Sequence, residues 1–308
     1  MNAHHVIALD IGGTSMKGAV IGPDLRPVRT LRSATPRTGA AGAVLAAVTS
    51  TVDRLTGLAA EHGITVTHAG VAVPGIVDDD LGHVHYSANL GLSEVPLAAV
   101  LRRHTGLNVT VGHDVRAGAL AEATLGAARG ARHALFVAIG TGIAGAFITD
   151  GLLLRSGGHA GEIGHITVPG GTARCACGNR GCLETVAAAP ALAKALGERT
   201  GRAVEGAVDV AAAVRAGDPD AQAVWQRAVA ALAGVLAALT TTLGPDTIVV
   251  GGGLGEASDL LIRPLTDALE ERLTFQRRPA VLKALLGDQA GCIGAALLAR
   301  GGISSTRS

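Results

Sequence analysis

Cys175, Cys177 and Cys182 stand within eight residues, CACGNRGC, of a 308-residue chain that has four cysteines in all. Cys175 and Cys177 are too close in sequence for ordinary disulfide geometry, and no CxxC redox pair is present. His165, ten residues before Cys175 in GEIGH, adds an imidazole to the three thiolates and completes a tetrahedral zinc set. Gly178 and Gly181 let such a loop turn back so that the sulfurs converge. Four protein ligands leave no open position, so a zinc ion held here is structural: it stabilises a loop and activates no water. The ligand set favours this reading over reduced thiols clustered by chance.

A second kind of chemistry is suggested by glycines at strand ends. Asp10 closes the apolar run VIALD and is followed by Gly12, Gly13, Thr14 and Lys17 in DIGGTSMKG. Backbone N–H groups in such a turn approach phosphate oxygens closely, and the acid can hold the Mg²⁺ that accompanies them. The GxxxxGK[ST] spacing is absent, and a tight hairpin is the competing reading. Thr141 and Gly142 in IGTGIAGAFITDG, and Gly252 and Gly253 in VVGGGLG, mark two further turns after buried strands. Each alone is more often a plain turn. Three of them, spread over both halves, are what a nucleotide held between two α/β lobes requires.

The elements that must position these residues follow from periodicity. Val6 to Asp10 reads as a buried strand, with a returning strand beyond the glycines and a helix over residues 39 to 63. GVAV gives a strand, residues 95 to 106 a short helix, and NVTVGHD a strand ending at His113 and Asp114. A helix over 117 to 130 precedes HALFVAIGTGIAGAFITDGLLL, which repeats the opening strand, glycine turn and strand. Residues 156 to 184 read as an irregular loop that builds a site. Helices are expected at about 186 to 197, 207 to 217 and 219 to 243, then the strand DTIVV and a terminal helix at about 290 to 301. The expected division is an N-terminal α/β lobe, residues 1–112, and a C-terminal α/β lobe, residues 113–308, with the terminal helix packing back on the first.

Composition narrows the function. Lys and Arg number 26 against 25 Asp and Glu, for a net charge of +1, so no basic footprint for nucleic acid is present. Aromatic residues are only 2%, which argues against stacking platforms for bases or sugars. The first residues lack a signal-peptide pattern and no stretch is read as having the length of a membrane span. The expectation is a cytoplasmic enzyme with no membrane or nucleic-acid partner.

The chain resembles a ROK-family sugar kinase of the bacterial glucokinase type. DIGGTSMKGAV is similar to that family's first phosphate motif, GTGIAGAFITDG to its second, and GEIGH with CACGNRGCLE to its zinc-bearing signature. The likeness continues through VPGIVDDDLGHVHYSANLGLSEVPL and GDQAGCIGAALLA. It implies a two-lobed actin-like fold with ribonuclease-H-like lobes closing over ATP and a hexose, with Mg²⁺ and a structural Zn²⁺. It further implies phosphoryl transfer to the sugar's 6-hydroxyl, glucose being the expected sugar, and Asp114 as general base. Asn89, Glu162, His165 and Glu184 carry over as hydroxyl partners, and His113 takes the place of a sugar-contacting Asn. A homodimer or higher homo-oligomer is implied by the resemblance alone.

Departures from the family pattern surround the base. In GHDVR, Gly112 replaces a Glu, His113 replaces an Asn, and Arg116 replaces a second Asn; Leu92 stands where an aromatic residue often follows the NLG step. Arg116 is expected to lower the pKa of Asp114. His113 opens the alternatives of another hexose or an N-acylhexosamine. A sugar-sensing regulator is the reading from a different class; the nine residues before the first phosphate motif leave no room for an N-terminal helix-turn-helix. His159 is expected to be a loop histidine.

Overall fold

The apolar runs that open each half become the central strands of two sheets in the computed structural model, which describes residues 4–36 and 41–301. β1 (Val6–Ile11) pairs antiparallel with β2 (Ser15–Ile21), and β2 with β3 (Pro27–Ala34). β4 (His68–Val73) runs parallel to β1, and β8 (Asn108–His113) runs parallel to β4, giving the order β3-β2-β1-β4-β8. Between β4 and β8, three short strands form a separate antiparallel sheet: β5 (Ile76–Asp78), β6 (His83–Ser87) and β7 (Leu92–Val95).

The second half repeats the design. β9 (Ala134–Ile139), β10 (Ile143–Thr149), β11 (Leu152–Leu153), β12 (Thr247–Gly251) and β13 (Ala280–Lys283) take the order β11-β10-β9-β12-β13. Counted along the chain among the strands of each five-stranded sheet, both orders read third, second, first, fourth, fifth. The short sequence echo therefore reflects two ribonuclease-H-like sheets, the α/β fold expected.

The helices lie where their apolar faces demand burial. α1 (Ala41–Ala60) places Val44, Val48, Val52 and Leu55 in a core with Ile7, Leu9 and Val71. α2 (Leu97–Thr105) and α3 (Asp114–Leu125) flank β8. α4 (Glu184–Ala187), α5 (Ala189–Thr200), α6 (Ala207–Arg215), α7 (Pro219–Leu243) and α8 (Ser258–Glu270) follow the irregular loop. α7 sends Trp225, Leu232 and Leu236 into a second core with Leu135, Val137, Ile248 and Val250.

Four expectations change. α1 and α7 do have the length and apolar content of a membrane span, but each buries one face in a core. α3 begins at Asp114 and ends at Leu125, earlier than expected, because His113 is its N-cap and accepts the Arg116 N–H. β3, the β5-β6-β7 sheet, α8 and β13 were not read from the sequence. Finally, contacts divide the chain into one unit of residues 1–126, 152–160 and 288–308 and another of residues 127–151 and 161–287. The border lies beyond residue 112 because α3 packs on α9 (Ala290–Ala299), which itself packs on β1 and β4. The approach is close: a Cβ on Gly70 of β4 would lie 1.7 Å from the Ala295 carbonyl oxygen.

Candidate functional site

In the first unit, the turn after β1 is fastened from two sides. Gly12 N–H donates to the Ser15 carbonyl at 2.9 Å, and Thr35 Oγ1 donates to the Gly12 carbonyl at 2.7 Å. Thr14 is exposed at the tip, and Asn89 packs against Gly13, whose added Cβ would meet the Asn89 Cβ at 3.5 Å. Lys17 pairs with Asp288, which also accepts from Arg32 Nη2 at 2.6 Å. Asp288, in GDQAG, is thus a member of this cluster that residue-type reasoning passed over.

Asp10 and Asp114 share the same end of the sheet, at or just beyond the C-terminal ends of β1 and β8. Burial, then the charge of Asp114, pushes Asp10 up to about 6 against the opposing pull of Lys17. Asp114 is also pushed up to about 6, by burial, although the Val115 N–H at 2.7 Å and the Arg116 charge act the other way. The expected lowering by Arg116 is therefore present but outweighed, because desolvation of the carboxylate is the larger effect.

Arg116 explains its own weakness here. Its side chain is 1% exposed, and it spends its charge on Asp79, with Nε to Oδ2 and Nη2 to Oδ1 both at 3.0 Å. The same guanidinium donates to the carbonyls of Val77 at 2.7 Å and of Gly158 and Ala160 at 3.3 Å each. Breaking such a buried pair from one side costs about 3–5 kcal/mol, so Arg116 stiffens the backbone that carries Asp114. Asp79 was missed in the sequence; its signal is the acidic run Asp78, Asp79, Asp80, in which only the middle side chain turns fully inward.

His113 is 5% exposed. Nδ1 accepts from the Arg116 N–H at 3.4 Å, which leaves the proton on Nε2, 3.4 Å from Asp114 Oδ1. The ring therefore faces the Asp114 carboxylate through Nε2.

In the second unit, Thr141 and Gly142 form the turn between β9 and β10, and Gly252 and Gly253 the turn after β12. The turns are neighbours: a Cβ on Gly140 would lie 3.9 Å from the Gly253 nitrogen. Gly252 has φ 80°, and its added Cβ would meet the Ile139 carbonyl oxygen at 2.4 Å, so only glycine fits. Glu184, first residue of α4, reaches the β9–β10 turn, its Oε2 accepting the Ile143 N–H at 3.0 Å.

Glu184 follows Cys182 by two residues, and the cysteine loop converges as its glycines suggested. Gly178 and Gly181 both have positive φ, 94° and 75°. Cys177 Sγ is 3.7 Å from Cys182 Sγ, Cys175 Sγ is 3.6 Å from His165 Nδ1, and all four ligand atoms lie within 4.8 Å of one another. A zinc tetrahedron with Zn–S bonds of about 2.3 Å has edges of about 3.8 Å, so the set fits the ion. Burial and the neighbouring thiols push Cys182 up to about 12; thiols this close ionise together only with a cation among them. The other ring nitrogen of His165, Nε2, is 3.7 Å from Glu162 Oε2, the arrangement that orients a metal-binding imidazole.

Residues 6–301 match the model of the ROK family. A glucokinase of Halalkalibacterium halodurans is 31% identical, with 97% of this chain and 96% of that protein aligned. An N-acetylmannosamine kinase of Yersinia pseudotuberculosis is 33% identical over 96% of this chain and 98% of its own. A solved ROK family glucokinase from Streptomyces griseus, in complex with glucose and AMPPNP, superposes with a TM-score of 0.83 at 30% identity, covering 97% of this chain and 100% of the other.

Proposed function

We propose that this chain, which belongs to the ROK family, is an ATP-dependent hexose kinase that phosphorylates glucose at the 6-hydroxyl. The observation that carries this reading is the placement of Asp114, just beyond the C-terminal end of β8 and beside Asp10 of β1, where burial pushes its carboxyl up to about 6. At neutral pH it is ionised, yet it is a stronger base than an ordinary Asp. Asp114 takes the proton of the sugar hydroxyl as that oxygen bonds to the γ-phosphorus. The bond from the γ-phosphorus to the bridging oxygen breaks, and ADP leaves.

His113 holds Asp114 in place through Nε2, and Arg116 and Asp79 fix the backbone beneath both. Asp10, raised beside a second carboxylate, suits Mg²⁺, which neutralises phosphate charge when it is bound with the nucleotide. The glycine turns at Gly12–Thr14, Thr141–Gly142 and Gly252–Gly253 supply backbone amides of the kind that bind phosphates. Asn89, Glu162, His165 and Glu184 supply the amide, acids and imidazole that a neutral polyol needs. Zinc on His165, Cys175, Cys177 and Cys182 would hold the loop from which Glu162 and Glu184 project.

The test is the pH dependence of kcat/KM for glucose at saturating ATP. A raised Asp loses activity as pH falls through about 6, so the profile should drop by about tenfold per unit below that value. A profile flat down to about pH 5 would place the base elsewhere.

A further inference from the structure

We propose that His83, His85 and Glu94 form a second metal site, chemically unlike the cysteine cluster, that binds a divalent transition ion of the zinc, nickel or copper class. β6 and β7 pair antiparallel with Val84 opposite Val95 and Tyr86 opposite Ser93. Val84 and Val95 are buried, so His83 and His85, one residue to either side of Val84, stand on the other face of the sheet. Glu94 faces them from β7. His83 Nε2 is 2.9 Å and His85 Nδ1 3.4 Å from the same oxygen, Glu94 Oε2, and the three ligand atoms lie within 4.8 Å of one another.

Imidazole and carboxylate ligands at about 2.0–2.1 Å from a tetrahedral ion are about 3.3 Å apart. The two histidine–glutamate distances, 2.9 and 3.4 Å, therefore stand near ligand spacing already. Glu94 adopts a left-handed backbone, φ 51°, rare for an L-residue in a strand, and its carboxylate meets both imidazoles. His159 stacks beside His85 with ring centroids 6.3 Å apart. Two imidazoles and one carboxylate select borderline transition ions over Mg²⁺ and Ca²⁺, which prefer oxygen. Three protein ligands leave positions for water, so the ion exchanges, unlike one enclosed by three thiolates and an imidazole.

The site has a consequence for the sugar. The chain between His85 and Glu94 is the turn that presents Asn89, so an ion bridging β6 and β7 clamps that turn. This consequence rests on the role proposed for Asn89; the binding of the ion does not.

Co²⁺ titrated into the zinc-loaded full chain tests both. One further equivalent should bind with micromolar affinity, giving weak visible bands without the intense thiolate-to-cobalt absorption that marks entry into the cysteine cluster. His83→Gln with His85→Gln should abolish it while zinc content and melting temperature stay unchanged, and Glu94→Gln should weaken it by about tenfold or more. No further equivalent, or one that persists in the double variant or carries the thiolate band, overturns the site. With Co²⁺ bound, the hexose KM should shift in the unmodified chain and not in the double variant. An unchanged KM overturns the clamp.

Discussion

Asp114→Asn is expected to lower kcat with glucose and ATP by about 10²- to 10⁴-fold while hexose binding and the fold persist. The amide keeps the size of the carboxylate, and Asn can still accept the Val115 N–H that Asp114 accepts at 2.7 Å. What it cannot do is take the hydroxyl proton. The stability effect has a definite sign. Because the folded pKa values of Asp10 and Asp114 are raised to about 6, their protonated forms favour the fold at acid pH, and that contribution is lost as pH rises through about 6. At neutral pH two desolvated carboxylates repel each other, so removing one charge should hold or raise the melting temperature. Near-normal turnover would mean that another group is the base; loss of folding would mean that Asp114 is a structural carboxylate.

Cys177→Ser has the second largest expected effect, on metal content and sugar affinity together. The loop from Ser156 to Leu183 has only two short 3-10 turns and the isolated bridges Thr167–Cys182 and Arg174–Arg180. Backbone pairing alone holds it weakly, so cross-linking by a metal would fix the positions of Glu162, His165 and Glu184. Cys177 is the exposed member of the set, and its truncation opens no core cavity; any loss is therefore a loss of metal. The variant should lack the zinc expected in the unmodified chain, melt several degrees lower, and show a glucose KM raised by about tenfold or more. Full zinc content with an unchanged KM would contradict the structural role, as would a zinc-free unmodified protein.

The sequence shows the parts of this molecule that are local. Apolar runs ended by glycine mark β1, β9 and β12, and α7 was bounded correctly at both ends, with Asp218 as its N-cap and Gly244 as its stop. The cysteine cluster was legible because all its ligands lie within eighteen residues. β3 was not, since PVRTLRSA is an edge strand with Arg29 and Arg32 outward and no apolar run. α8 was masked by Pro264 within its helical pattern.

Long-range partners were the other omission. The charge of Arg116 was visible, but its partner Asp79 lies 37 residues away on another element, and only the fold shows that the pair is buried. Asp114 read as the end of a strand rather than the start of a helix because the cap is a histidine, a residue type outside the usual capping set.

Phosphoryl transfer from ATP to the hexose 6-hydroxyl is read out by ADP release with glucose and with 6-deoxyglucose at saturating Mg-ATP. Sustained ADP formation is expected with glucose, and none with 6-deoxyglucose even as it competes with glucose for the site. Equal ADP release with both sugars, or none with glucose, would contradict it.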